Sequence, residues 1–402
     1  MNYPHFDSPD FLAQHIESIL AFYQPTIFDS EGGFFQNFLD DGSVYDRDTR
    51  HLVSSTRLVF NYANAHLFSG TARHLDWAAH GFNYLQTHHR RSDGAYIWQR
   101  NSTQTEDDRV MAYGHAFVML AAAWATRIGI DGAAQTIDEV WNFMDAQFWE
   151  PEYSAYADEY DGRLSQLSSY RGQNANMHTV EALIAAYEAT RQSRYIDRAE
   201  QVAFRFCQIL AAGAEGQIWE HYTEDWQPDW TYNIDKPDDL FKPWGFQPGH
   251  QVEWAKLLLQ LDELRPQDWY LPTAQRLFDT ALKKGWDQDY GGLVYGYAPD
   301  GSFADAHKYF WVHAEAFAAA WRLYHRTGEA RYHDDYMRVW KWSWDHLIDH
   351  VNGGWFRIVE RDGSWKEPQK SPVGKVDYHT MGACWDVLSV QGHYRTDAAG
   401  SL

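Results

Sequence analysis

Ala316–Leu347 reads AFAAAWRLYHRTGEARYHDDYMRVWKWSWDHL and runs on into HVNGGWFRIVE from His350. Apolar residues recur along it at steps of three and four, a helical period broken at Thr327-Gly-Glu. The spacing predicts a helix, a tight turn and a second helix. A glycine loop and alternating aromatic and β-branched residues follow, which suits a short hairpin. The same shape returns in ALIAAYEATRQSRYIDRAEQVAFRFCQIL from Ala182, with its break at Arg191-Gln-Ser. The loop recurs as DSEGGFFQ from Asp29, DGAYIWQ from Asp93, EYSAYAD from Glu152, GAEGQIWEHY from Gly213 and DQDYGGLVYGY from Asp287. Gly32, Gly94, Tyr153, Gly216, Gly291 and Gly353 mark six copies at intervals of 62, 59, 63, 75 and 62 residues.

A near-constant period of this length is the signature of a repeat architecture. Six helix pairs give twelve helices, and closing them into a ring leaves no apolar end exposed. The expected fold is all-α: an (α/α)6 barrel of twelve helices with short β-hairpins in the inter-helix loops, as a single catalytic domain over residues 1–402. An open solenoid of helix pairs is the structural alternative.

Composition narrows the partners. Thirty-four Lys+Arg against 56 Asp+Glu leave a net charge of −22, which repels nucleic acid and anionic membrane surfaces. The apolar run Ala116–Ala125 is about half of a membrane span. The start MNYPHFDSPDF has neither the basic beginning nor the apolar stretch of a signal peptide. Cys207 and Cys384 make no CxxC pair, so a reducing, cytoplasmic compartment is expected. Monomer and homodimer are both compatible with this charge. The 20 tryptophans exceed ordinary core use; Trp98, Trp149, Trp219, Trp286 and Trp355 fall in or beside the recurrent loops.

Equivalent positions in a closed ring converge on its axis. Counting forward from each marker picks out Arg57, Tyr113, His178, His250, Trp311 and His379, each at or near the start of the helix after a hairpin. His178/Glu181 and His250/Glu253 are HxxE pairs, one helical turn apart on one face. Such pairs suit an acid/base imidazole oriented by a carboxylate, so Glu253 is expected to hold His250 in its working tautomer. Di-metal helices use the order Glu-x-x-His with two further carboxylates. The order here is reversed, and neither a metal nor another cofactor is expected. Arg57 stands in an apolar run, where a cation needs an ion-pair partner or a ligand. Trp311 offers an indole face to a sugar ring, and Glu315, one turn on, is a further candidate cavity carboxylate. The motifs for phosphate loops, dinucleotide sites, zincins and α/β-hydrolases are absent.

YRGQNANMHTVEA (residues 170–182), PGHQVEW (248–254) and DYHT (377–380) resemble the N-acylglucosamine 2-epimerase superfamily, most closely its bacterial aldose–ketose isomerases that act on mannose. The likeness spans Arg57 to His379. It implies an (α/α)6 barrel whose sugar site takes Arg57, Tyr113, Asn174, His178, His250, Glu253, Trp311 and His379, with His250 and His379 as the acid/base pair. Cellobiose 2-epimerases of the family carry a Trp shortly before the last His. SPVGKVDY from Ser371 has none, so a monosaccharide substrate is expected.

The reaction so implied interconverts free D-mannose and D-fructose through an enediolate, with Arg57 and His178 stabilising its charge. Tyr113, Asn174, Trp311, Glu315, Glu181 and Asp377 are the expected substrate-binding residues. Three other outcomes stay open at this point. One is 2-epimerisation of mannose to glucose. Another is glycoside hydrolysis by two of Glu181, Glu253, Glu315 and Asp377. The third is a non-catalytic protein that binds the sugar without exchanging its C2 proton.

Overall fold

The structure is a computed structural model; it describes residues 3–101 and 104–394. The ends of the predicted span 1–402 lie outside the described residues. The helices are α1 (Pro9–Tyr23), α2 (Leu52–Ser69), α3 (Ala72–Tyr84), α4 (Ala112–Arg127), α5 (Ala133–Gln147) and α6 (Gln173–Thr190), followed by α7 (Ser193–Phe204), α8 (Pro248–Leu264), α9 (Tyr270–Gly285), α10 (Phe310–Thr327), α11 (Ala330–His346) and α12 (Tyr378–Val390). The even-numbered helices pack side by side in sequence and close where α12 meets α2. The odd-numbered helices form the outer ring, and α1 supplies the partner of α12. The twelve-helix barrel is therefore as expected, with one refinement: the sixth pair joins the two ends of the chain.

Burial follows sequence pattern. Outer helix α9 buries Thr273, Ala274, Leu277, Phe278, Ala281 and Leu282, a single stripe at helical period. Inner helix α8 is buried on all sides from Pro248 to Leu259, polar His250, Gln251, Glu253 and Lys256 included. Polar groups so placed need partners or a cavity, because an unpaired buried one costs several kcal/mol, of order 1–3.

Each inner helix starts from a short extended segment that pairs with the next loop around the ring. His51 pairs with Gln99, Met111 with Glu159, Gly172 with His221, Phe246 with Tyr297, Tyr309 with Ile358, and Ser371 with Phe38. The hairpins thus form a closed belt around one mouth of the barrel, and all six inner helices begin beneath it. Glycine is required where loop and outer helix meet: Gly291 and Gly292 have φ of +72° and +71°, and a Cβ on either would lie 2.7 Å from Trp342.

A second recurrent device fastens the loops. The side chains of His115, Asn176, Gln251 and His313 accept the backbone N–H of Tyr96, Tyr156, Ile218 and Leu293 at 2.8–3.3 Å. His115 and His313 use Nδ1 on the carbonyl four residues back, of Met111 and Tyr309. Burial pushes these two imidazoles down to about 4 and about 3, so both are neutral pegs.

Candidate active site

Beneath the belt the inner helices leave a cavity lined by Arg57, Tyr113, Asn174, His178, His250, Glu253, Trp311 and His379. All six positions picked out by the repeat therefore converge, and Asn174 and Glu253 join them. The interval of 75 residues explains the roof. Its surplus builds the segment before α8, from which Leu240 and Phe241 overhang the cavity. Phe241 packs against His51, Trp98 and Tyr113, and its carbonyl accepts the Asn174 amide at 3.1 Å.

The three cavity histidines each direct Nδ1 to a carboxylate. His178 meets Glu181 at 2.9 Å, as the HxxE spacing predicts. His250 does not meet Glu253. Its Nδ1 lies 2.9 Å from both oxygens of Glu220, whose carboxylate also accepts the Gln173 amide at 2.9 Å. His379 Nδ1 lies 2.7 Å from Glu315. A carboxylate on Nδ1 favours the proton there and leaves Nε2 as a proton acceptor; at His250 the Gln173 amide nitrogen also lies 2.8 Å from Nδ1. Burial pushes the His379 imidazole down to about 4, so it is a neutral base at pH 7. Trp311 stands between two of these rings, 5.0 Å from His250 and 5.6 Å from His379. It fits there because residue 249 is glycine: a Cβ on Gly249 would come within 2.3 Å of its indole.

Glu253 faces the cavity, 1% exposed, and neither carboxyl oxygen receives a hydrogen bond. Its nearest imidazole is that of His178, at 3.8 Å. Burial, and then the charge of Glu315, hold its carboxyl well above the usual carboxylate range. Both effects favour the protonated carboxyl, in which one oxygen donates and the other accepts. Among the described residues no carboxylate pairs with Arg57. It donates to the Gly374 carbonyl and, at 3.2 Å, to the Tyr113 hydroxyl, and its guanidinium lies over the rings of Phe117 and Tyr378. An arginine held by neutral groups keeps its charge for a ligand.

Three of the expected sugar contacts, Asp377, Glu181 and Glu315, do not line this cavity. Asp377 is fully buried away from the cavity at the start of α12, accepting from Tyr23, Lys375 and Thr380. Glu181 and Glu315 lie one layer below the cavity floor. Glu181 takes the Tyr378 hydroxyl besides His178, and Glu315 takes the Lys256 ammonium besides His379. This layer separates the cavity from a second one that opens at the far mouth, beside Arg127, Glu188, Glu263 and Asp386. Donor atoms of His178, Glu181 and Glu253, and of Glu253, Glu315 and His379, fall within 4.8 Å of one another, close enough for a shared cation. The cation present at Glu315 is the Lys256 ammonium.

The N-acylglucosamine 2-epimerase (GlcNAc 2-epimerase) family profile matches residues 33–383. The chain is 51% identical to the D-mannose isomerase of Marinomonas mediterranea over 389 residues, 96% of this chain and 99% of that one. A crystal structure of D-mannose isomerase superposes with a TM-score of 0.95 at 51% identity, covering 96% of this chain and all of the other. The cellobiose 2-epimerase of Spirochaeta thermophila, 21% identical, shares the fold at a TM-score of 0.85, with 95% and 96% of the two chains covered. No helix among the described residues is long and apolar enough to cross a membrane.

Proposed function

Because the chain belongs to the N-acylglucosamine 2-epimerase family, we propose that it interconverts free D-mannose and D-fructose within a single catalytic unit. The observation that carries this reading is the pair of carboxylate-held imidazoles, His250 and His379, flanking Trp311 around one cavity that also holds a carboxyl, Glu253, with no hydrogen bond on either oxygen. The family resemblance and the 51% identity to a D-mannose isomerase support the choice of sugar.

In this reading the pyranose opens with help from a cavity histidine. One of His250 and His379 takes the C2 proton at Nε2, and a proton is delivered to C1. A positioned acid–base pair of this kind contributes about 10²–10⁴-fold. Charge on the enediolate oxygens meets Arg57 and His178 among buried side chains, where preorganised donors count most. Moving the carbonyl from C1 to C2 also requires a proton on O1 and the loss of one from O2. Glu253 supplies both, donating from one oxygen and accepting at the other, and ends as it began. Tyr113 and Asn174 hold the sugar hydroxyls, and the Trp311 indole takes an apolar C–H face. The chain works in a reducing compartment, where buried Cys207 and Cys384 remain thiols.

Hydrolysis of a glycoside would need two free carboxyls flanking the scissile bond; here Glu181 and Glu315 are engaged, which leaves Glu253 alone. Incubation of the enzyme with D-mannose in D2O, followed by NMR, tests the proposal. Fructose formed with proton exchange or transfer from C2 is expected. Mannose recovered unchanged, or glucose as the sole product, would refute it.

A further inference from the structure

Lys256 lies one turn after Glu253 on α8, buried among Glu315, Glu253, Glu181 and Asp386. Its ammonium bonds one oxygen of Glu315 on α10, and the other oxygen of Glu315 holds His379 on α12. Three successive inner helices are thus joined by the chain Lys256–Glu315–His379. A carboxyl oxygen of Glu253 lies within 4.8 Å of one of Glu315, yet makes no hydrogen bond to it. Two carboxyls this near cannot both ionise cheaply, and without a cation they pair with each other.

We propose that Lys256 is the positioning residue that commits this site to moving the carbonyl, because its bond to Glu315 leaves Glu253 as the one carboxyl with both oxygens free for the sugar. The inference rests on the isomerase reading above. Remove the ammonium, and the freed oxygen of Glu315 takes the Glu253 proton into a carboxyl–carboxyl hydrogen bond. His379 loses its fixed acceptor, and Glu253 no longer reaches O1 and O2 together. The enediolate is then reprotonated at C2, an outcome that needs no transfer between the two oxygens. On one face this returns mannose and on the other it gives glucose.

The test follows D-mannose turnover by the wild type, Lys256→Met, Lys256→Arg and Glu315→Gln, with fructose and glucose quantified by NMR. For Lys256→Met, kcat for fructose falls about tenfold or more while KM stays within about threefold, the pattern of an interaction used in the transition state. The glucose-to-fructose ratio rises, the kcat–pH profile shifts, and Lys256→Arg recovers part of the loss. A folded Lys256→Met enzyme with wild-type kcat and product ratio overturns the inference. Should that variant not fold, near-isosteric Glu315→Gln breaks the same contact from the other side, and an unchanged product ratio there overturns it equally. A wild-type enzyme that makes no fructose sinks the isomerase reading first, and this one with it.

Discussion

His250 and His379 differ in the carboxylate behind them, and that difference separates what each would lose on substitution. His250→Ala and His379→Ala each lower kcat on mannose by about 10²–10⁴-fold, measured as initial rates of fructose formation. Glu220→Gln keeps the shape of the hairpin but replaces an acceptor with an amide that lets His250 adopt the wrong tautomer. A fall in kcat of at least about tenfold with little change in KM is expected, by the logic of an imidazole oriented through Nδ1. Sequence spacing found both histidines but not Glu220. It lies 30 residues before His250, in a hairpin whose belt pairing, Gly172 with His221, is what carries it there. The same HxxE spacing joins His178 to Glu181 but not His250 to Glu253, because Glu220 from the neighbouring hairpin already takes His250 Nδ1. That leaves Glu253 to the cavity.

At the level of elements, the contact between α8 and α10 depends on Gly249. Gly249→Ala drives a methyl group into Trp311. Overpacking of this kind costs about 1–3 kcal/mol, so thermal denaturation shows a lower Tm and kinetics a higher KM for mannose. The pegs make a matching case. His313→Ala strands the backbone N–H of Leu293 in the core and costs about 1–3 kcal/mol of stability, read from denaturant unfolding, with KM nearly unchanged. Two of these pegs were within reach of the sequence. His115 and His313 stand two residues beyond the repeat positions Tyr113 and Trp311, whereas Asn176 falls two before His178 and Gln251 one after His250, out of that phase. What the period could not convey is the direction of each side chain, since neighbouring positions on an inner helix face either the axis or the outer ring. The long fourth interval was likewise visible as a number. Only the fold shows that its surplus roofs the cavity.

For the molecule as a whole, the belt and its pegs make stability depend on pH. His15, His51, His89, His115, His313 and His379 are all buried, and burial lowers each imidazole to between about 3 and about 4. In the unfolded chain they titrate near 6.5, by the usual value of roughly that size. Between about pH 6.5 and 4 the unfolded state therefore binds more protons, and stability falls as the pH drops through that window. Asp158, raised to about 7 by burial, and Glu253 work in the opposite sense, but they are two groups against six. Melting at pH 7 and pH 5 is expected to show a clear loss of Tm at the lower pH; an unchanged Tm would mean these histidines titrate normally in the fold. The barrel is also polar in the geometric sense. In the proposed reading its working face is the belt, whereas Tyr394 and Asn64 bond each other at the far mouth. A surface coupled at that far mouth then presents each molecule with its belt and sugar cavity turned toward the flowing liquid.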